Sequence, residues 1–147
     1  MPAGVLFACG LNRIRSPMAE GVTRWLHGPR LRVESCGLTV DPDALPDPFV
    51  AAVMDEIGVD LSAHEVKSFD DLDPNDFGVI VSLSPEAQHR AVEFARDRPI
   101  KLEYWPTQDP TLTQGSRETT LGAYREVRQA LEARIRERFP PGLTFGG

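Results

Sequence analysis

Residues 4–20 read Gly4-Val5-Leu6-Phe7-Ala8-Cys9-Gly10-Leu11-Asn12-Arg13-Ile14-Arg15-Ser16-Pro17-Met18-Ala19-Glu20, and three kinds of chain follow one another in them. Gly4–Ala8 is a short apolar run that reads as a buried strand. Ser16-Pro17 opens a helix, with serine as N-cap and proline at the first helical position. Met18, Val22, Trp25 and Leu26 give that helix an apolar face, and Gly28-Pro29 ends it. The turn between strand and helix holds a cysteine, a glycine, an asparagine and two arginines.

The same unit recurs along the chain. Leu31–Cys36 is a second strand closed by Gly37, and Leu38–Pro48 is a loop rich in aspartate and proline. Phe49–Ile57 is a helix stopped by Gly58. Phe77–Leu83 is almost continuously apolar, as a strand covered on both faces of a parallel sheet must be. Ser84-Pro85 repeats the cap-and-proline signal and starts a helix to about Arg96. Ile100–Tyr104 is a fourth strand, Trp105–Gly115 an irregular loop, and Ser116 caps a last helix to about Arg138. This βαβαβαβα order predicts an α/β fold of three layers, a four-stranded parallel sheet with helices on both faces. Ligands of such sheets sit at the carboxyl ends of the strands, so a site should be built from strand-to-helix turns.

The first turn is where chemistry concentrates. Residues 10–14 can curl so that successive backbone N–H groups face one concavity, an anion nest. The helix that follows adds unpaired N–H groups and the positive end of its dipole. Arg15 can close the nest with a two-pronged bond to a tetrahedral oxyanion. The same donors, with the Ser16 hydroxyl, would hold Cys9 as thiolate. Gly10 and Asn12 are the residue types that tolerate positive φ in so tight a loop. A cysteine at the end of a buried strand is also ordinary core material. The glycine, asparagine and serine-proline around this one favour the reactive reading.

Composition bounds the partners. The chain has 147 residues, 41% of them hydrophobic, which fits a single domain over 1–147 with a loosely packed tail from about 140. Sixteen basic against 22 acidic residues give a net charge of −6, so no nucleic-acid partner is expected. The longest apolar run, Val5–Cys9, is too short to span a bilayer, and no basic segment precedes it to make a signal peptide. No membrane partner is expected, and Cys9 and Cys36 fit a reducing cytoplasm. His27, His64 and His89 lack metal-ligand spacing, so no metal or other cofactor is expected.

The sequence resembles the low-molecular-weight protein tyrosine phosphatase family. The likeness runs through Val5–Cys9, Arg15-Ser16-Pro17-Met18-Ala19-Glu20, Val33-Glu34-Ser35, Ile57-Gly58-Val59-Asp60-Leu61-Ser62-Ala63-His64 and Asp109-Pro110, in order over nearly the whole chain. It implies the strand order 2-1-3-4, Cys9 as a nucleophile forming phosphocysteine, and Arg15 as the transition-state clamp. Asn12 would hold the loop, Ser16 would stabilise the thiolate, and Asp109 would be general acid and base. Gly10, Leu11, Asn12, Arg13, Ile14 and Ser16 would complete the substrate-binding loop. The substrate would be a phosphorylated protein or a small aryl phosphate. On physical grounds alone, Asp41 and Asp109 both follow strands closely, whereas Asp47 and Asp73 read as turns. Asp109 gains from Trp105 and Pro106, which could dry the site and raise its pKa.

The chain also departs from that family's pattern. Leu11 and Ile14 stand where a glycine and a second cysteine are usual, and Thr111 and Leu112 replace the tyrosines that follow the Asp-Pro pair in eukaryotic-type members. Cys36 is a redox partner for Cys9 if the two strands adjoin, or else a small core residue. Arg13 is a second loop cation, either solvated or attracting acidic substrates. Arsenate reductase, using the same oxyanion loop with an external thiol, is the first alternative to a phosphatase; a non-catalytic phosphate- or protein-binding module is the second.

Overall fold

A computed structural model describes residues 3–142. Its strands are β1 (Gly4–Cys9), β2 (Val33–Gly37), β3 (Phe77–Ser82) and β4 (Lys101–Tyr104). Its longer helices are α1 (Arg15–His27), α2 (Pro48–Asp55), α3 (Pro85–Phe94) and α4 (Arg117–Arg138). The strands are all parallel and lie in the order β2-β1-β3-β4, as the resemblance implied. The chain leaves β1 toward one edge and returns to its other side as β3, so the sheet reverses direction beside β1. The carboxyl end of β1 is therefore the crevice where such sheets bind ligands.

β1 is the central strand with all six residues buried, and its period of two sorts them between two cores. Val5, Phe7 and Cys9 face α1, α2 and α4, with Val81, Leu131 and Ile135 in the same cluster. Leu6 and Ala8 face α3 and the turn at Phe69, together with Cys36 and Ile80. Three helices thus cover one face of the sheet and one helix the other.

Helix α1 starts two residues earlier than the serine-proline signal indicates. Its N-cap is Ile14, which makes no side-chain cap, and Ser16 lies inside the first turn. The reason is that the Ser16 hydroxyl is drawn into the turn before it, by Cys9 and Asn12. Pro17 still falls within the first turn, where its missing N–H breaks no helical bond. The other serine signals act as caps: Ser84 accepts from the Ala87 N–H at 3.3 Å and Ser116 from Thr119 at 3.2 Å. At the end of α4, Phe139 is fully buried, with Trp105 6.2 Å away ring to ring, so the chain is anchored up to that point. Pro140 is half-buried and residues 141 and 142 are exposed; the rest of the expected loose tail, 143–147, lies outside the described residues.

Candidate active site

The turn after β1 folds back against β2, and Gly37 makes the approach possible. A Cβ there would stand 2.8 Å from the Asn12 nitrogen and 2.9 Å from the Gly10 oxygen, closer than real Cβ contacts come. The Gly10 carbonyl in turn accepts from the N–H of Leu38 at 2.8 Å. Asn12 has φ 56°, the left-handed region that asparagine tolerates best after glycine.

Asn12 is fully buried and organises the turn from behind. Its Oδ1 accepts from the backbone N–H of Lys67 at 2.9 Å, which fixes the orientation of the amide. Its Nδ2 then donates to Ser16 Oγ and to Ser35 Oγ, both at 2.9 Å. Ser35 passes its own proton to Glu20 Oε1 at 2.5 Å, and His64 Nε2 meets the Asn12 carbonyl at 3.0 Å. Ser16, already an acceptor, has its proton free for Cys9 Sγ at 2.9 Å or, at a longer 3.4 Å, the Cys36 carbonyl. A donor aimed at sulfur favours thiolate over thiol.

In front of the turn is a cavity of about 240 Å³. Cys9, Gly10, Leu11, Arg13, Ile14 and Arg15 line it from the turn itself, and Asp47, Asp109 and Thr111 line it from two other loops. The structure thus brings together seven of the nine residues singled out from the sequence. Asn12 and Ser16 stand behind the wall, fully buried. Arg15 Nη1 donates to the Thr107 carbonyl at 3.0 Å, which ties it to the loop carrying Asp109. Asp109 Oδ1 accepts from the N–H of Thr111 at 2.9 Å and its hydroxyl at 2.6 Å, so its carboxylate is aimed by the short turn it caps.

Several local expectations need correcting. Trp105 does not dry the cavity: it is buried in the core, edge-on to Phe7 at 6.0 Å. Asp41 is exposed, turned to the N–H of Asp43, and lines no part of the cavity. Asp47, read as a mere turn residue, does line it, because it caps α2 through the N–H groups of Phe49 and Val50 and so stands at the end of a helix laid across α1 and α4. Arg13 is half-buried rather than freely solvated; its Nη2 donates to the Leu45 carbonyl at 3.1 Å. Tyr124 of α4 records both acids: burial and then the charges of Asp47 and Asp109 push its hydroxyl up to about 12. Glu20 and Thr111 are further site residues that sequence reasoning missed; Glu20 sat in a quoted motif, one helical turn beyond Ser16.

Cys36 is no partner for Cys9. It pairs with Ala8 across the sheet, so its side chain shares the α3 face, opposite to that of Cys9. It is fully buried, and burial followed by the nearby Cys9 charge pushes its thiol far above the usual range. Among the described residues no three His, Cys, Asp or Glu side chains gather as a metal site, and no helix is long and apolar enough to cross a membrane.

A parallel sheet with a cysteine-arginine turn at its reversal point defines the class of oxyanion-binding α/β enzymes, and comparisons with known proteins narrow it. The model of the low molecular weight phosphotyrosine protein phosphatases matches residues 4–140, and the chain belongs to that family. It is 29% identical over 131 residues to the glutaredoxin arsenate reductase of Synechocystis sp., covering 89% of this chain and 92% of that one. Other relatives named arsenate reductase, from Bacillus subtilis among others, are 25–29% identical. Among solved structures, an arsenate reductase in its oxidized state superposes with a TM-score of 0.75 at 26% identity, covering 91% of this chain and 94% of that one. The Erwinia amylovora tyrosine phosphatase amsI superposes with a TM-score of 0.76 at 20% identity, covering 93% and 91%, a likeness of fold.

Proposed function

We propose that this protein hydrolyses phosphate monoesters, aryl phosphates such as phosphotyrosine first among them, through a phosphocysteine on Cys9. The observation that carries the reading is that Cys9, Arg15 and Asp109, from two distant stretches of chain, line one cavity. In the first step the Cys9 thiolate attacks phosphorus in line while Arg15 and the loop N–H groups take up charge on the three equatorial oxygens. Asp109 gives its proton to the departing phenolate. In the second step Asp109 takes a proton from water, which attacks the phosphocysteine, and phosphate leaves with the thiolate restored. No electrons change hands, so the chain needs no second thiol, which agrees with Cys36 lying on the far face of the sheet.

Arsenate reduction is the second reading, and the names of the relatives favour it over the first. Arsenate has the shape and charge of phosphate and fits the same loop. There the Cys9 thiolate displaces water from arsenic. An external thiol then attacks the Cys9 sulfur, two electrons pass to arsenic, and arsenite leaves behind a mixed disulfide that a second thiol reduces. With Cys36 out of reach, both thiols must come from solution.

One experiment separates the two. Nitrophenol release from p-nitrophenyl phosphate at about pH 5.5, a mildly acid pH suited to general acid catalysis by a carboxyl, is measured beside arsenite formation with glutathione and glutaredoxin. Wild type, Cys9→Ser and Asp109→Asn are compared in both assays. Metal-independent nitrophenol release lost in Cys9→Ser supports the phosphatase. Thiol-dependent arsenite formation without ester hydrolysis supports the reductase. Neither activity from a protein that still binds phosphate would leave a binding module.

A further inference from the structure

A second cavity lies against the stretch of chain that leads to Asp109. Within that stretch the Thr107 carbonyl accepts from Arg15 Nη1 at 3.0 Å, and its N–H donates to the Leu83 carbonyl at 3.2 Å. Asp109, two residues on, lines the catalytic cavity. Residues 105–108 and the helix α4 enclose between them a slot of about 300 Å³, the size of a small-molecule site. Pro106, Thr107 and Gln108 line it from the loop, and Val127, Ala130 and Leu131 line it from the helix. Val127 and Leu131 are buried core residues, so that side of the slot is apolar. Ala130 stands one helical turn from both Glu126 and Arg134, which also line the slot.

The charge in the slot is unbalanced at one end. The Arg134 guanidinium sits 5.1 Å over the Trp105 ring, and among the described residues it has no carboxylate partner. Its neighbours Arg136 and Arg138 pair with Glu132 and Glu103. Glu126, the other charged residue of the slot, stands about 12 Å away along the helix axis and leaves Arg134 unpaired. A guanidinium over an indole, beside buried aliphatic side chains, fits one carboxylate joined to an apolar body. We propose that this slot is an effector site for small organic monocarboxylates, and that its occupant tightens the hold of the Cys9 turn on an oxyanion. The carboxylate takes the fork of Arg134, and the body lies between Pro106 and the pair Val127 and Leu131. A filled slot backs the loop against α4, which holds the Thr107 carbonyl where it meets Arg15. An Arg15 already held loses less freedom when it closes on an oxyanion. The coupling rests on the Cys9 turn binding an oxyanion, which the phosphatase and reductase readings share.

The test titrates phenylbutyrate, an apolar body with one carboxylate, into a Trp25→Phe protein that keeps Trp105 as its one tryptophan. Trp105 fluorescence should change and saturate. Saturating phosphate should tighten phenylbutyrate binding about fivefold, an ordinary coupling between two sites, and phenylbutyrate should tighten phosphate binding by the same factor. Arg134→Gln should weaken phenylbutyrate about tenfold through the lost charge. Ala130→Leu should block it by filling the slot. Both variants should bind phosphate alone as before. Phenylbutylamine, with the charge reversed, should bind about tenfold more weakly than phenylbutyrate. No saturating signal, equal affinity for the acid and the amine, or titrations that the two variants leave unmoved would each overturn the site. Phosphate that weakens phenylbutyrate binding would put the carboxylate in the Cys9 turn, and phosphate without effect would remove the coupling; either result overturns the proposal. Phosphate that fails to bind wild type at all would overturn the oxyanion reading of the turn, and the coupling with it.

Discussion

Ser16 Oγ stands 2.9 Å from Cys9 Sγ and accepts from Asn12 Nδ2 at the same distance. Lys67 fixes the Asn12 amide, the amide spends its two protons on Ser16 and Ser35, and the serine proton has Cys9 Sγ at 2.9 Å as its nearer acceptor, ahead of the Cys36 carbonyl at 3.4 Å. A hydrogen bond to a charged acceptor is worth about 1.5–3 kcal/mol. Ser16→Ala should therefore slow turnover about tenfold or more, with the fold retained. Hydrolysis of p-nitrophenyl phosphate by the two proteins measures it; an unchanged rate would show that the serine does not assist the sulfur.

Gly37→Ala tests the turn from its other side. The added Cβ would meet backbone atoms of Gly10, Leu11 and Asn12 inside 3 Å, none of which can swing away as a side chain would. The turn must shift, and a displacement approaching 1 Å at a reacting group costs about a hundredfold in rate. Loss of turnover with the fold retained by circular dichroism is the expected result.

Cys36→Ala should leave turnover unchanged, because its side chain lies across the sheet from Cys9. Peroxide should likewise oxidise Cys9 without joining the two. Mass spectrometry under non-reducing conditions would reveal a Cys9–Cys36 disulfide if the β1–β2 edge opens enough to form one.

Away from the site, Glu56 contributes to the pH dependence of stability. Hydrogen bonds from Arg125 and then Arg128 hold its carboxyl down at about 2, against an ordinary 4.5. A carboxyl depressed in the folded state contributes stability that is complete above its unfolded pKa and lost as pH falls through the folded one. Melting temperature should thus fall between about pH 4.5 and 2, less steeply in Glu56→Gln. The same slope in both proteins would remove Glu56 from the account.

The sheet was legible because its signals are local: apolar runs of strand length, two of them followed by a serine-proline pair and the last by the cap at Ser116. The turn was legible because cysteine, arginine and asparagine sit within seven residues of one another. What escaped was set by distant contacts. Ser16 reads as a cap until Cys9 and Asn12 compete for its hydroxyl. Asp47 looks too far from any strand until α2 packs across α4 and brings its N-cap to the cavity. Trp105 is next to the site in sequence, yet Phe7 and Phe139 draw it into the core. Spacing gave no sign that Cys36 faces away, although the pairing of β2 with β1 decides it.

Covalent chemistry at Cys9 is the step on which the proposed hydrolysis depends. Wild type mixed with p-nitrophenyl phosphate and quenched in acid within the first turnovers should carry one phosphoryl group, mapped by mass spectrometry to the peptide containing Cys9. Asp109→Asn should accumulate more of it, and Cys9→Ala should carry none and turn nothing over. A phosphoryl group found on another residue, or turnover that persists in Cys9→Ala, would contradict the central claim.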